Sequence, residues 1–450
     1  MKTKRTASLA IITLIILSSC SNWIDPAINI DPTNPKDASF NVILPTIEAN
    51  LAFQSGGDIG RLTSLFTQHH LGTGRQHQGY YEYNLTEADL DNLWLNMYVG
   101  PMMDLSIMIK KAKDAPYYQG IAEILMAYSL GTLSDLLGDI PYSQAFQGSD
   151  NLKPVYDKQQ VLYTSIIGLL SNGITHLGAA TSSSKPTSDD FIYGGNKANW
   201  IKAANALKAR YYLHIKNLPQ AKASVSGAFM SNADDMQFVF GEEYLNSNPL
   251  YQFMQERGDI SLGPKLVELL KNSTDPRIVS FTDDTAYSTE ALPGTFFADA
   301  KSPVFFITYA EIKFIEAECN LSAGDKAGAY AAYKEGIKAS LEKFGVASAN
   351  IGTYLANPKV DVGEANLTLE NIINQKYVAL YTQSETWTDW RRTGFPTLTP
   401  TVSGGQVPRR FIYPQNERLY NGDNLKSVGD NPSGTSFAYT KMYWDKLWNP

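Results

Sequence analysis

The chain has 450 residues, a formal net charge of −7 at pH 7 and 12% aromatic residues. An acidic surface disfavours binding to nucleic acid and to anionic lipid headgroups, so neutral or cationic partners are favoured. The 26 tyrosines suit a binding surface, although aromatic residues are also ordinary core residues. A chain of this length predicts one large domain or two closely packed ones.

The N-terminus has the pattern of a bacterial export signal. A basic cluster at residues 2–5 precedes an apolar run at 7–17, which is too short to cross a bilayer. The run ends at Leu17-Ser18-Ser19-Cys20, which resembles the lipobox of bacterial lipoproteins. We therefore predict a signal peptide at 1–19, lipid attachment at Cys20 and a Pro-rich tether at 20–36. A plain secretory signal or an N-terminal anchor helix is the alternative.

Helical periodicity begins after the tether. Apolar residues recur at three- and four-residue spacing over 38–53, 87–112 and 117–137, which predicts amphipathic helices. Two later segments, 199–230 and 307–344, place small residues at the gaps of a tetratricopeptide helical hairpin, whose two helices approach closely. The sequence thus predicts an all-α fold with a few short strands.

The hairpin in 199–230 carries Ala209, Ala221, Val225 and Ala228, and the one in 307–344 carries Ala317, Ala329, Tyr333 and Gly336. A third hairpin would join 117–137 to 157–177 across a long loop. The alternative is that any antiparallel helix pair favours alanine at its contact, so we predict scattered hairpins and not a tandem array.

Long stretches rich in Gly, Ser, Asn and Pro separate the helical segments. Structureless loops of this length usually carry function or belong to a second subdomain. The predicted loops are 178–198, 241–263, 281–303, 346–368 and 393–440.

Motifs for metal, nucleotide and acyl-transfer chemistry are weak. No cysteine or patterned carboxylate accompanies the histidine group His69, His70 and His77. For the segment Gly72-Thr73-Gly74, no strand is predicted before it, and a third glycine is absent. The match Ser340-Leu341-Glu342-Lys343 lacks its companion motif. We predict no catalytic residue, no metal and no cofactor.

Five blocks of sequence together resemble the SusD/RagB family of outer-membrane lipoproteins, in particular its second SusD-like subfamily. In order and approximate spacing, the resemblance runs from about residue 25 to 450. The blocks are Asn29-Ile30-Asp31-Pro32-Thr33-Asn34-Pro35, Leu136-Leu137-Gly138-Asp139-Ile140-Pro141-Tyr142, Thr308-Tyr309-Ala310-Glu311-Ile312 continuing to Glu316-Ala317-Glu318, Trp387-Thr388-Asp389-Trp390-Arg391-Arg392-Thr393-Gly394, and Arg409-Arg410-Phe411-Ile412-Tyr413-Pro414-Gln415-Asn416-Glu417.

This resemblance implies a single α-helical domain over 37–450, in which tetratricopeptide hairpins are the scaffold and loops form the binding face. It also implies a non-enzymatic lipoprotein at the outer membrane of a Bacteroidetes-type bacterium. Such a protein captures a nutrient, usually a glycan, and acts with a SusC-like TonB-dependent transporter over which it sits as a lid. Asp25 follows four non-acidic residues after Cys20, a departure that makes outward-facing display a weaker expectation.

The family blocks also predict structural roles. Glu311 and Glu316 are expected to form buried ion pairs with arginines of the last two blocks. The candidate partners are Arg391, Arg392, Arg409 and Arg410. Trp387 and Trp390, three residues apart on a predicted helix, are expected to pack in the core.

One segment combines flat aromatic rings with side chains that hydrogen-bond in fixed geometry, as a sugar binder requires. Residues 75–83 lie between two predicted helices, so we expect a loop to present them. The predicted ligand-binding residues are Arg75, Gln76, His77, Gln78, Tyr80, Tyr81 and Tyr83. The alternative for each tyrosine is packing beneath the loop. Phe296, Phe297 and Tyr193 are second-rank candidates.

Three other functions compete with glycan capture. The acidic surface would favour capture of cationic peptides. A structural lid, which mainly closes the transporter barrel and binds little itself, would require neither a glycan nor a peptide ligand. The absent catalytic motifs disfavour a lipid-anchored hydrolase. The acidic pairs Asp189-Asp190 and Asp283-Asp284 could serve glycoside hydrolysis only at a suitable distance between carboxylates.

Overall fold

The computed structural model describes residues 38–284 and 286–448. The predicted signal peptide, Cys20 and the tether lie outside the described residues. Within the described part, helices predominate and the strands are three to five residues long. The predicted all-α class with a few short strands is therefore confirmed.

Helices and strands follow one another in this order. The helices up to residue 225 are α1 (Phe40–Gln54), α2 (Gly60–Phe66), α3 (Arg75–Tyr81), α4 (Asp91–Met97), α5 (Met103–Lys111), α6 (Pro116–Leu137), α7 (Gln159–Leu177), α8 (Lys197–His214) and α9 (Leu218–Val225). The later helices are α10 (Pro249–Glu256), α11 (Pro264–Ser273), α12 (Ile278–Phe281), α13 (Thr295–Ala298), α14 (Tyr309–Ser322), α15 (Lys326–Lys343), α16 (Ser348–Leu355), α17 (Leu369–Ala379), α18 (Glu385–Thr393), α19 (Gln415–Tyr420), α20 (Gly422–Leu425) and α21 (Tyr443–Trp448). Two antiparallel strand pairs join distant segments: β1 (His70–Gly72) with β3 (Ile260–Leu262), and β2 (Met236–Val239) with β4 (Pro303–Ile307).

Three helical hairpins form the scaffold, as predicted: α6 packs on α7, α8 on α9, and α14 on α15. Four of the five alanines at the predicted contact positions have no exposed surface, and the fifth, Ala228, is 3% exposed; the four are Ala209, Ala221, Ala317 and Ala329. Small residues also let α6 and α7 approach, because a Cβ at Gly120 would lie 2.8 Å from the carbonyl oxygen of Gly173. The spacing of small residues therefore identified real helix contacts.

The helix predicted over 87–112 is broken, so that prediction was wrong as a single element. The chain passes from α4 to α5 through a π-helical turn (Tyr98–Met102) in which Gly100 has φ −83° and ψ −111°. Pro101 follows directly. It lacks the N–H that a continuous helix needs, and its ring clashes with the preceding turn.

Four of the five predicted loops contain regular elements. Helix α10 lies in 241–263, α13 in 281–303, α16 in 346–368, and α19 and α20 in 393–440. These helices are short, and α10 begins at a side-chain cap, since Asn248 accepts the N–H groups of Leu250 and Tyr251. Periodicity does not identify elements of one or two turns, because too few apolar positions repeat.

One helix of the described residues, α6, is long and apolar enough to cross a membrane by length and composition. Its apolar window is completely buried inside the protein. Helix α6 is therefore the central core helix, on which α5, α7 and α8 pack.

Charged side chains connect the hairpins through the core. Arg210 on α8 donates to both carboxylate oxygens of Glu311 on α14, at 2.7 and 2.6 Å. Its Nε also lies 3.6 Å from Oε2 of Glu385 on α18. Burial alone would lower the pKa of His214, but Glu385 and Asp135 raise it to about 9. These groups link α6, α8, α14 and α18.

The predicted ion-pair partners were wrong in detail. Glu311 pairs with Arg210, and Glu316 lies 2.8 Å from Lys313 on the surface of its own helix. Glu318, two turns beyond Glu311, contacts Arg392 at 2.7 Å. The helical repeat explains the difference, since residues seven apart share a face whereas Glu316 faces another direction.

Of the four candidate arginines, Arg392 therefore binds a glutamate on α14. That glutamate is Glu318, not one of the two predicted partners. Arg409 pairs with Asp445 on α21 at 2.6 Å. Arg391 donates to the backbone carbonyls of Asp135 and Arg409. Within the described residues, Arg410 has no carboxylate within ion-pair distance.

A buried carboxyl group fastens α1 to the segment before α8. Glu48 is completely buried, and its Oε2 accepts the N–H of Phe191 at 2.7 Å. Nearby Asp190 accepts the N–H of Gly195 at 2.8 Å and the indole N–H of Trp200 at 2.7 Å. Burial, and secondly the charge of Asp190, raise the pKa of Glu48 well above its usual range. The raised pKa favours the protonated form of Glu48 in the folded protein.

Glu48→Gln is expected to gain stability relative to wild type as the pH rises. Because the pKa of Glu48 is higher in the folded state, its contribution is complete below the unfolded pKa and is lost as the pH rises through the folded pKa. Glutamine keeps a neutral acceptor and a donor at this position. Urea unfolding from about pH 5 to 9 measures the difference. Glu268→Gln, which changes a half-exposed carboxylate, is the control, and a Glu48→Gln difference that stays constant with pH would contradict the prediction.

Candidate ligand-binding cleft

A cleft of ≈ 260 Å³ opens between the N-terminal helices and α10. Its walls are the end of α1 with the turn that follows, α2, α3, α4 and α10. Aromatic and aliphatic groups come from Phe53, Phe253 and Pro249. Hydrogen-bonding groups come mainly from Asp58, Arg61, Gln76, Asn96, Gln252 and Glu256. We call this the α1–α10 cleft.

A glycine pair shapes one wall of the cleft. The chain passes from α1 to α2 through a π-helical turn (Ser55–Ile59), in which Gly57 has φ −86° and ψ −119°. A Cβ at Gly56 would collide with Val304 and lie 3.2 Å from Pro249. Glycine therefore permits the close approach of α1 and α10, and π-helical turns of this kind are frequent at functional sites.

Arg61 is the central cation of the cleft. Its side chain is 15% exposed and pairs with Asp58. The guanidinium carbon lies 4.7 Å from the ring centre of Phe253. Burial lowers the pKa of Arg61, whereas Asp58 raises it. The pair thus presents fixed donors and acceptors beside an aromatic ring.

His77 closes the inner end of the cleft. Its ring packs on Phe253, with the ring centres 4.6 Å apart, and Nδ1 lies 3.8 Å from Oδ2 of Asp259. Burial, and then the charge of Arg61, lower the pKa of His77 to about 4. The imidazole is therefore neutral at neutral pH and can act as a hydrogen-bonding group.

Residues 75–81 form α3, so the predicted loop over 75–83 was wrong. The helix buries one side of the segment: His77, Tyr80 and Tyr83 are buried, whereas Gln76 and Gln78 are exposed. Arg75 is exposed but bonded, with its Nε 3.0 Å from Oδ1 of Asp259.

The tyrosines of the segment pack as the alternative predicts. Tyr80 donates to Asp89 at 2.6 Å, and Tyr83 accepts the N–H of Thr401 at 3.1 Å. The carbonyl of half-buried Tyr81 accepts the Thr401 hydroxyl at 2.5 Å. The Tyr83 hydroxyl and the Tyr81 carbonyl thus bind the segment to a later loop. Of the seven predicted ligand-binding residues, Gln76 and His77 line the cleft.

The second-rank candidates lie elsewhere. Phe297 is buried against Phe281 and Tyr381, and Phe296 packs on it. The Tyr193 hydroxyl donates to the carbonyl of Asp234 at 2.7 Å. None of the three lines the α1–α10 cleft.

Sequence reasoning missed most of the cleft. Phe53, Asp58 and Arg61 surround the Gly56-Gly57 pair, which is a local signal of a backbone irregularity. Gln252 and Glu256 come from α10, nearly 200 residues away from that pair. A single sequence gives no indication that two such distant segments meet.

Other candidate chemistry has structural explanations. His69 and His70 bind Tyr377 O at 3.0 Å and Tyr381 Oη at 2.7 Å, and burial lowers the pKa of each to about 3. No group of three or more metal-ligating side chains occurs among the described residues. A carboxylate oxygen of Asp189 accepts the backbone N–H of Thr187 at 2.9 Å, so this side chain stabilises a local turn.

Comparison with known proteins agrees with the resemblance noted in the sequence. The model of the SusD-like_2 family, described as starch-binding and associating with the outer membrane, matches residues 32–414. That is most of the chain. The chain belongs to the SusD-like_2 family. No curated protein sequence matches it.

Solved SusD-like structures share the fold over nearly their whole length. A SusD/RagB family protein of Bacteroides thetaiotaomicron is 23% identical, with a TM-score of 0.79 over 91% of this chain and 99% of that one. A chitin-binding SusD homolog of Flavobacterium johnsoniae is 23% identical, with a TM-score of 0.73 over 90% and 97%. A SusD homolog of Bacteroides fragilis is 22% identical, with a TM-score of 0.75 over 91% and 99%. At these identities the likeness shows the fold alone.

Proposed function

We propose that this SusD-like protein captures a glycan in the α1–α10 cleft without chemical turnover and delivers it to a SusC-like TonB-dependent transporter. Family membership supports a substrate-binding role at the outer membrane. The observation that supports the location is the meeting of Arg61, Asp58 and Gln76 beside an exposed aromatic ring in one cleft.

The cleft offers both kinds of contact that a sugar needs. Phe53 is 40% exposed, and its ring can cover the apolar C–H face of a pyranose. Asn96 and Gln76 offer amide groups that both donate and accept hydrogen bonds, as vicinal hydroxyls require. The amide nitrogen of Gln252 already donates to the carbonyls of Tyr244 and Ser247, so its oxygen can act as the acceptor.

The size of the cleft favours part of a chain over a long polymer. A volume of ≈ 260 Å³ is close to the lower end of small-molecule pockets, about 300 Å³. We therefore propose that one or two sugar units enter, while the rest of the glycan extends over the exposed side chains of Glu256 and Arg257.

The proposed cellular arrangement rests on the N-terminal motif. A lipid on Cys20 would hold the domain at the outer membrane, and the tether would let it cover a transporter. Pull-down of the full-length lipoprotein from solubilised outer membranes should recover a TonB-dependent barrel. A capture protein that purifies without any barrel would contradict delivery, although not binding.

Isothermal titration of the protein beginning at Ser21 tests the binding proposal. The panel contains starch and maltooligosaccharides, chitooligosaccharides, other polysaccharides, and cationic peptides. Saturable heat with one glycan class, and no released product after prolonged incubation, is the expected result. Heat with peptides but with no glycan would overturn the proposal in favour of peptide capture.

Two glutamines on α3 provide a matched test of the location. Gln76→Ala is expected to weaken glycan binding roughly threefold to tenfold, the value of one or two hydrogen bonds. Gln78→Ala should leave the affinity unchanged, because exposed Gln78 bonds to Glu82 on the same helix and does not line the cleft. Equal affinities of the two variants for the glycan would contradict the proposed location of the binding site in the α1–α10 cleft.

A further inference from the structure

A second pocket, which shares no residue with the α1–α10 cleft, lies between the end of α6 and the last segment of the chain. Its volume is ≈ 320 Å³. Gly138 and Asp139 form one side, and residues 440–443 with Lys446 form the other. Three cationic side chains line it: Arg410, Lys441 and Lys446. The whole chain has a formal net charge of −7, so this group of three cations is opposite in sign to the overall charge of the protein.

Arg410 lines the pocket and is buried, with 6% of its surface exposed. Its Nη2 donates to the carbonyl of Leu137 and, at 3.0 Å, to the hydroxyl of Tyr413. Its guanidinium lies 4.2 Å from the ring centre of Phe437. Nε is buried without a hydrogen-bond partner among the described residues.

The described residues supply no carboxylate ion pair for this buried cation. A buried charge without a counter-ion is costly, and burial accordingly lowers the pKa of Arg410. The one acidic residue that lines the pocket, Asp139, is engaged elsewhere. Its Oδ2 lies 2.9 Å from Nζ of Lys158, and its Oδ1 accepts the N–H of Gln159 at 2.8 Å.

The two lysines add charge at the mouth of the pocket. Both Lys441 and Lys446 are exposed, and they flank buried Met442 on the last segment. Flexible ammonium groups can turn toward a bound anion, while Arg410 is held in place by the backbone carbonyl below it. The pocket therefore combines one buried cation with two exposed ones.

We propose that this pocket binds an oxyanion, namely the carboxylate, sulfate or phosphate group of a small solute. The anion would supply the counter-charge that Arg410 lacks and would contact Lys441 and Lys446 at the rim. Guanidinium and ammonium donors match oxyanions of this kind. The site is independent of glycan capture in the α1–α10 cleft, so either proposal can fail alone.

Titration with three oxyanions at constant ionic strength tests this inference. The probes are sodium sulfate, sodium phosphate and sodium glucuronate, with sodium chloride and glucose as the reference solutes. Saturable binding of at least one oxyanion, together with a higher Tm than in chloride, is expected, because a ligand of the folded state stabilises it. Binding of glucuronate alone would assign the site to sugar acids, and binding of sulfate or phosphate alone to inorganic or esterified oxyanions.

Two pairs of substitutions decide whether the anion occupies this pocket. The variant Lys441→Gln with Lys446→Gln is expected to weaken oxyanion binding roughly fivefold or more. The control, Lys326→Gln with Lys338→Gln on α15, makes the same charge change at exposed positions outside the pocket and should bind as wild type. Arg410→Gln should abolish binding if it folds; if it does not fold, the lysine pair decides. Equal affinities for the two lysine pairs, or no saturable oxyanion binding, would overturn the proposal.

Discussion

Arg210→Met is expected to lower the free energy of unfolding by about 3–5 kcal/mol, the usual cost of removing one partner of a buried ion pair. Arg210 is 5% exposed and donates to both oxygens of Glu311, which has no exposed surface. Methionine leaves that carboxylate uncompensated between α8 and α14. Urea unfolding at pH 7, followed by circular dichroism, measures the loss.

The double variant Arg210→Met with Glu311→Leu is the matched control. Replacing both charges by apolar groups avoids the unpaired carboxylate, so much of the lost stability should return. The loss of unfolding free energy in the double variant is compared with the sum of the losses in the two single variants. If they are equal, the two side chains are not coupled, which contradicts the structural role assigned to the pair.

Trp387→Ala is expected to cost about 3–5 kcal/mol of unfolding free energy, as large-to-small substitutions of buried aromatic residues do. The Trp387 ring has no exposed surface and lies 5.3 Å from the ring centre of Phe66 and 5.2 Å from that of Phe411. Its indole N–H donates to the carbonyl of Pro408 at 2.9 Å. Alanine would leave a cavity and an unpaired carbonyl.

Trp390→Ala provides the comparison for this substitution. Trp390 lies one turn further along α18, is partly exposed, and has the guanidinium of Arg409 5.2 Å above its ring. The loss should be clearly smaller than for Trp387→Ala, because a partly exposed site leaves less unfilled volume. Equal losses of unfolding free energy for the two variants, measured by urea unfolding, would contradict the difference in burial between Trp387 and Trp390.

The scaffold could be predicted from the sequence because local patterns determine it. Periodic apolar residues located α6, and small residues such as Ala209 and Ala317 located the helix contacts. The break at Pro101 follows from proline chemistry, although it lies inside a periodic segment. The partner of Glu311 could not be derived, because it depends on which helix faces α14, and Arg210 carries no local mark of that contact.

The candidate site was predictable only in part, for a related reason. Segment 75–83 is rich in groups that suit a ligand, but Tyr80 on α3 and Tyr83 after it are both buried. The hydroxyl of Tyr83 accepts the N–H of Thr401, more than 300 residues away in the chain. The cleft itself forms from α1 and α10, so its residues are adjacent only after folding.

A crystal structure of the protein with the glycan that binds most tightly in the titration panel is the most direct test of the central claim. The account predicts one or two sugar units in the α1–α10 cleft, with a ring face on Phe53 and hydroxyl groups bonded to Arg61, Gln76 and Gln252. Sugar bound elsewhere on the surface, with the cleft empty, would contradict it.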